Sequence, residues 1–205
     1  MTAPATTAGE LELADWRRQV AELYAAVRQA PTGQEGHALW RAGRDRLFQE
    51  HPQSPLAADD PLRAGLPYAP YNPRLRWELP LASYREAQRL TIATGPTETT
   101  HLHRIGTLQV PAPIKARVAV WWLEQYGGGL FIPLRDATAG NGSYGGGRYL
   151  LDGAKGADLG GQDGRLTIDL NFLYHPSCRY DIRWQCPLAP IDNMIDVRVD
   201  AGELL

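Results

Sequence analysis

The stretch TTHLHRIGTLQVPAPIKARVAVWWLE, residues 99–124, predicts two β-strands, over Thr99–Val110 and Ala116–Glu124. In the second strand the apolar side chains alternate between two faces, with Val118, Val120 and Trp122 on one and Ala119, Trp121 and Leu123 on the other. A strand that is apolar on both faces is covered on both sides. We therefore expect this strand near the centre of a sheet.

The same alternation extends outward along the chain. Six further segments are predicted as strands: Arg74–Leu79, Gln88–Ala93, Leu130–Leu134, Arg148–Leu151, Leu166–Phe172 and Ile195–Val199. The gaps between successive strands are of hairpin length, which favours a mostly antiparallel sheet curled into a sandwich or an open barrel. With the helices that precede it, this sheet predicts an α+β fold.

The N-terminal third has a helical pattern. One helix is predicted over Leu13–Ala30, and a second begins after the capping-box pair Thr32 and Glu35 and continues to about His51. Residues 52–73 contain six prolines and form an extended connector. We expect the helices to cover an edge or an open end of the sheet.

These patterns predict one domain with a short extension. Residues 1–12 are small and polar and are expected to be a mobile tail. Residues 13–205 form the single domain, in which 13–51 are helical, 52–73 connect, and 74–205 make the β-rich core.

The charge balance limits the choice of partners. Lys and Arg total 21 and Asp and Glu total 23, which gives a formal net charge of −2 and no excess of positive charge for nucleic acid. The longest apolar run, Val118 to Leu123, is too short to span a bilayer. The N-terminus lacks the basic and apolar regions of a secretory signal. We expect a cytoplasmic protein with no nucleic-acid or membrane partner, and a small molecule as the possible ligand.

Three segments carry distinctive motifs: FIPLRDATAGNGSYGGGRYL (131–150), IDLNFLYHPSC (168–178) and CPLAPIDNMIDVRVDAGE (186–203). Together with WRAGRDRLFQEHPQSPL (40–56), they resemble the uncharacterised, mainly bacterial family called domain of unknown function 1684, over about residues 40–203. The chain departs from the family pattern at His175, where Asn is expected, and at Ile191-Asp192, where Pro-Glu is expected. The resemblance implies a shared β-rich fold and a shared polar cluster, and it implies no known activity.

Polar residues of these motifs are the candidates for a ligand pocket. Arg148 follows a glycine-rich loop, and it either joins Asp136 or Asp169 in a structural network or presents its guanidinium group to a carboxylate or phosphate. The loop lacks the Lys-Ser/Thr pair of a nucleotide-binding P-loop, so no cofactor is expected. The predicted ligand-binding residues are Asp136, Thr138, Tyr144, Arg148, Asp169, Asn171 and Tyr174.

Cys178 and Cys186 enclose a short loop, and three interpretations remain open. The pair is structural, as a disulfide or as packed thiols; or it binds a metal together with His175; or one thiol is a nucleophile with His175 as its base. We favour the structural role and expect no metal, because these three ligands lack the fourth that tetrahedral zinc requires.

Two other histidines, His101 and His103, alternate on one strand face. Such a pair can hold a metal, but it is more often part of a half-exposed strand face.

The sequence therefore leaves three possible roles: ligand binding, catalysis, and a purely structural or partner-binding role. The favoured one is binding of a small polar or anionic molecule in the Arg, Asp, Tyr and Asn pocket. The alternative is a hydrolase-like enzyme, with Asp136 or His175 as general base and Arg148 stabilising developing negative charge.

Overall fold

The computed structural model describes residues 7–95 and 98–205, so half of the predicted tail, residues 1–6, lies outside the described residues. Two α-helices come first, α1 at Thr7–Gln29 and α2 at Gly33–Glu50. The first begins at Thr7, and not at Leu13 as predicted, because Ala, Glu and Leu favour a helix and Glu10 in the first turn interacts well with the helix dipole. Thr32 caps α2 as predicted, since its hydroxyl accepts a hydrogen bond from the Glu35 N–H at 3.2 Å.

Nine β-strands follow within the described ranges: β1 Arg76–Pro80, β2 Ala82–Ser83, β3 Arg89–Ala93, β4 Thr99–Val110, β5 Ala116–Leu123, β6 Leu130–Leu134, β7 Arg148–Asp152, β8 Gly161–Gln162 and β9 Arg165–Asp169. All of their pairings are antiparallel. Strands β2, β4, β5, β6 and β7 form one sheet in that order, with β3 also paired to β4. A second sheet has the order β1-β9-β8.

Of the predicted strands, one is wrong in part and another is wrong altogether. The segment Leu166–Phe172 is divided, because the Asp169 side chain accepts a hydrogen bond from the Asn171 N–H and caps a 3₁₀ turn over Leu170–Phe172. Ile195–Val199 forms no strand. Its backbone instead makes separate contacts: the Ile195 N–H donates to the Arg135 carbonyl at 2.9 Å, and the Val199 N–H donates to the Asp136 carboxylate at 2.8 Å.

Strand β5 is covered on both faces, as its pattern predicted, except at Trp122, which is exposed. Val118 and Val120 belong to the core that includes residues of both sheets. Ala119, Trp121 and Leu123 belong to a second core, which includes residues of α1 and α2. The α+β prediction of helices on a mostly antiparallel sheet is confirmed, and the described sheets do not close into a barrel.

The proline-rich connector fixes the helices to the rest of the chain. Leu56 and Leu66 of the connector pack with Trp16 of α1 and Phe48 of α2 in a third apolar cluster. Beyond that cluster the Ala69 N–H donates to the Gly202 carbonyl at 2.9 Å. The connector therefore brings the C-terminal segment close to α2. Neither described helix has the length and apolar character needed to cross a membrane.

Candidate functional site

Arg148 is the centre of a buried network at the start of β7. Its side chain is 1 % exposed, and its terminal nitrogens donate to the Asp136 carboxylate at 3.0 Å, to the Val199 carbonyl at 2.9 Å and to the Glu203 carbonyl at 3.1 Å. The Ala201 carbonyl accepts a further hydrogen bond. Burial lowers the pKa of Arg148, although the Asp136 carboxylate acts in the opposite direction. The network therefore anchors the C-terminal segment to the edge of the sheet.

Asp136 has both carboxylate oxygens occupied. The Thr138 N–H and hydroxyl donate to them at 3.1 and 2.9 Å, in addition to Arg148 and the Val199 N–H. Thr138 also shares a hydrogen bond of 2.8 Å with Ser143. This arrangement holds the glycine-rich loop in place and leaves Asp136 poorly suited to act as a base.

Gly147 makes the close approach at Arg148 possible. Its φ is +90°, and a Cβ there would lie 2.7 Å from the Leu134 carbonyl oxygen. A glycine can adopt this left-handed conformation without steric cost, whereas another residue would be strained. The register of β7 against β6 thus depends on this residue.

Asp169 and Asn171 lie in a different cluster from Arg148. Asp169 contacts Arg76 at 3.5 Å and the Tyr71 hydroxyl at 3.4 Å, while the Asn171 side chain binds the Asn72 backbone at 2.8 and 2.9 Å. Of the two predicted carboxylate partners of Arg148, Asp136 is therefore the one that contacts it. Asp169 and Asn171 fasten the connector to β9.

Tyr174 and Tyr144 are also separate from that network. Tyr174 exchanges backbone hydrogen bonds with Tyr149, and its hydroxyl lies 3.5 Å from an Asp152 oxygen. The Arg44 guanidinium stacks over its ring at 4.8 Å. Tyr144 contacts Cys178. The seven predicted ligand-binding residues thus fall into several clusters and do not form one pocket.

Sequence reasoning missed a buried ion pair. The Arg44 Nη2 lies 2.7 Å from the Glu203 carboxylate, and Glu203 is fully buried. The same carboxylate accepts hydrogen bonds from the His175 N–H at 2.8 Å and from the Tyr180 hydroxyl. Burial opposes ionisation of Glu203, but Arg44 and His175 prevail and hold its pKa below the ordinary value. Arg44 and the Ala-Gly-Glu ending were visible in the sequence, but no local spacing connected them.

His175 is engaged inside the fold. Its Nε2 accepts a hydrogen bond from the Tyr144 N–H at 3.1 Å, and its Nδ1 lies 3.7 Å from Glu203. The metal hypothesis combined His175 with both cysteines. Among the described residues, no group of three or more His, Cys, Asp or Glu is arranged to hold a metal ion. His101 and His103 contact Thr91 and Glu124, each at 3.0 Å.

Cys178 and Cys186 are both free and lie together. The Cys178 thiol donates a hydrogen bond to Cys186, which, with the nearby Lys155 ammonium, lowers the pKa of Cys186 although burial opposes the shift. The same hydrogen bond and burial raise the pKa of Cys178. The two pKa shifts are therefore opposite in direction, and both follow from the same hydrogen bond.

Cys186 lines a recess of about 150 Å³, which we call the cysteine recess. Its lining combines cationic, amide, hydroxyl and apolar groups: Arg17, Thr100, Leu123, Gln125, Phe131, Tyr149, Asp152, Ala154, Lys155, Gln185, Cys186 and Pro187. Lys155 lies 2.8 Å from the Asp152 carboxylate. Burial disfavours its ammonium form, but Asp152 outweighs this effect and raises the pKa of Lys155.

A family model described as "Protein of unknown function (DUF1684)" matches residues 64–204. The chain belongs to the DUF1684 family. The match confirms the resemblance inferred from the motifs, and it begins after α2, so that both helices precede the matched region.

One solved structure is similar over most of its length. It is the solution NMR structure of an uncharacterized protein from Haloarcula marismortui, which is 31% identical, covers 80% of this chain and 90% of that chain, and has a TM-score of 0.56. No curated protein matches the chain. The similarity to this uncharacterized protein therefore supports the fold and supplies no activity.

Proposed function

We propose that the protein binds a small polar or anionic molecule, and that the binding site is the cysteine recess. The Arg148 network is unsuited to this role because protein carbonyls and Asp136 occupy both terminal nitrogens of its guanidinium group. The recess instead opens on groups that can bind a ligand.

The proposal rests mainly on the positive charge of Arg17. Its exposed side chain lines the recess and makes no ion pair with any residue in the described ranges. Lys155, the other cation there, is paired with Asp152. Arg17 therefore supplies the unpaired positive charge, and a guanidinium group suits bidentate binding of a carboxylate or phosphate.

Further groups in the recess support a polar ligand. Gln125 and Gln185 offer amide donors and acceptors, and the Gln185 Oε1 is buried without a hydrogen-bond partner in the described structure. A cavity of about 150 Å³ holds a molecule about the size of benzene. The volume therefore selects small carboxylates or phosphates and excludes a dinucleotide.

Thermal unfolding and isothermal calorimetry with acetate, succinate and inorganic phosphate test the proposal. A probe that binds the native state at 100 times its Kd stabilises it by about 2.7 kcal/mol. We expect Arg17→Ala to abolish this effect and Arg18→Ala to retain it, because Arg18 is paired with the exposed Asp15 at 2.6 Å. Failure of all three probes to bind, or equal binding by both variants, would overturn the proposal.

A further inference from the structure

Cys178 and Cys186 are joined by a hydrogen bond, but their surroundings differ. Cys186 lines the cysteine recess, where a small molecule can reach it. Cys178 stands in contact with the Tyr144 side chain. Both side chains are half-buried, and Cys186 is the one of the two that lines the recess.

The charged groups near the two cysteines also favour reaction at Cys186. Lys155 lines the recess with Cys186 and is held by Asp152, so a cation stays close to the Cys186 sulfur. Tyr149 also lines the recess, and its hydroxyl donates to the Pro187 carbonyl at 2.7 Å, which fixes the residue following Cys186. A thiolate with a neighbouring cation and partial exposure is the reactive form of cysteine.

The middle of the segment between the two cysteines lies at the surface, while Tyr180 near its start packs against Phe48. Ile182, midway along it, is 96 % exposed, and Arg183 forms its ion pair within the segment, with Asp181 at 2.7 Å. Closure of a disulfide brings the two sulfur atoms to about 2.05 Å, which requires a small movement of one or both cysteines. The exposed middle of the segment, at Ile182 and Arg183, is where the backbone can take up that movement.

We propose that Cys178 and Cys186 form an oxidation-sensitive dithiol, in which Cys186 reacts with a hydroperoxide and Cys178 then closes a disulfide. The Cys186 thiolate attacks the terminal oxygen of the hydroperoxide, so an S–O bond forms, the O–O bond breaks and an alcohol or water leaves after taking up a proton. The Cys178 sulfur then attacks the sulfenic acid of Cys186, which forms the S–S bond and releases water. In sum, two thiols are oxidised and one hydroperoxide is reduced.

The proposal does not depend on anion binding at Arg17. Cys178→Ser leaves the lining of the recess unchanged and is expected to bind the anionic probes without forming the disulfide, while Arg17→Ala retains both thiols and is expected to form the disulfide. The failure of one proposal is therefore distinguishable from the failure of the other.

The test treats the reduced protein with hydrogen peroxide and follows the products by mass spectrometry. We expect an intramolecular Cys178–Cys186 disulfide in the wild type, and in Cys178→Ser a sulfenic acid on Cys186 that dimedone traps. We expect Cys186→Ser to react at least about tenfold more slowly at Cys178, because Cys178 does not line the recess and burial raises its pKa. Near-UV circular dichroism establishes that each variant is folded.

A positioning role for Lys155 is tested by the rate of Cys186 alkylation with iodoacetamide as a function of pH. Lys155→Gln is expected to shift the profile to higher pH, and Lys155→Arg to restore it. Lys115→Gln is the matched control, because Lys115 is the chain's only other lysine and is exposed. Equal reactivity of the two cysteines, disulfides only between molecules, or no disulfide in a folded wild-type protein would each overturn the proposal.

Discussion

Arg44 and Glu203 form a buried ion pair between residues that are 159 positions apart in the chain. The guanidinium group comes from α2 and the carboxylate from the C-terminal segment. The His175 N–H donates to the same carboxylate, so three distant parts of the sequence meet at one charge. The pair therefore links the helices to the β-rich part of the protein.

Loss of the Glu203 charge is expected to destabilise the fold strongly. Glu203→Gln leaves the Arg44 guanidinium buried without a counter-ion, and breaking a buried pair in this way costs about 3–5 kcal/mol. Asp200→Asn removes an exposed pair with Arg198 and is expected to cost less than about 1 kcal/mol. Urea unfolding measures both values, and similar costs for the two variants would contradict the burial argument.

Arg148 is expected to affect stability. Arg148→Ala leaves Asp136 buried without its cation and is expected to cost about 3–5 kcal/mol. Arg148→Lys is expected to recover only part of this loss, because an ammonium group cannot reproduce the planar fork that binds several carbonyls. Arg135→Ala, one residue before Asp136 and exposed, is the control. A wild-type melting temperature in Arg148→Ala would refute the structural assignment.

His37 makes the stability of the fold sensitive to mild acid. Burial, with repulsion from Arg41, lowers the pKa of His37 to about 4. A histidine with a depressed pKa in the folded state stabilises the fold fully above its unfolded value of 6.5, and this contribution declines as the pH falls from 6.5 towards 4.

The measurement is the free energy of unfolding between pH 7 and pH 4. In the wild type, His37 contributes up to about 1.4 kcal/mol per pH unit to the slope of the unfolding free energy against pH. We expect this contribution to be absent in His37→Gln. His101→Gln is the control, since His101 is exposed. A wild-type slope in His37→Gln would show that other groups carry the pH dependence.

Gly147 is expected to tolerate no side chain. Gly147→Ala places a Cβ 2.7 Å from the Leu134 carbonyl oxygen at a φ of +90°, so both the contact and the backbone conformation become unfavourable. Gly145→Ala, in the same loop, meets nothing within 4 Å and has no positive φ. We expect a drop in melting temperature for the first variant and almost none for the second.

Much of the β-structure was predictable because its signal is local. Strands β4 and β6 begin and end where the alternating pattern predicted, and β5 ends one residue earlier. Asp136 and Arg148 were correctly paired because Asp136 lies two residues beyond the end of β6 and Arg148 begins β7, and these consecutive strands pair with each other. Neighbouring strands commonly pair, so proximity in sequence here implied proximity in space.

The segment Ile195–Val199 shows where that logic fails. It has the alternation of a strand, but at Val199 the backbone N–H and carbonyl bind the Asp136 and Arg148 side chains. A pattern of apolar residues carries no information about such side-chain partners. Similarly, Asp169 was offered as a partner of Arg148, but it contacts Arg76, because β9 belongs to the other sheet and pairs with β1.

The sequence by itself determined the fold class, the family and the two-sided burial of β5, since periodicity and motifs are properties of short segments. The tertiary structure decided which distant groups meet: Arg44 with Glu203, and Lys155 with Cys186 in the cysteine recess. The physical reason is that burial and electrostatic pairing depend on distances in space. Those distances follow from the order of strands in the sheets and from how α1 and α2 pack on them.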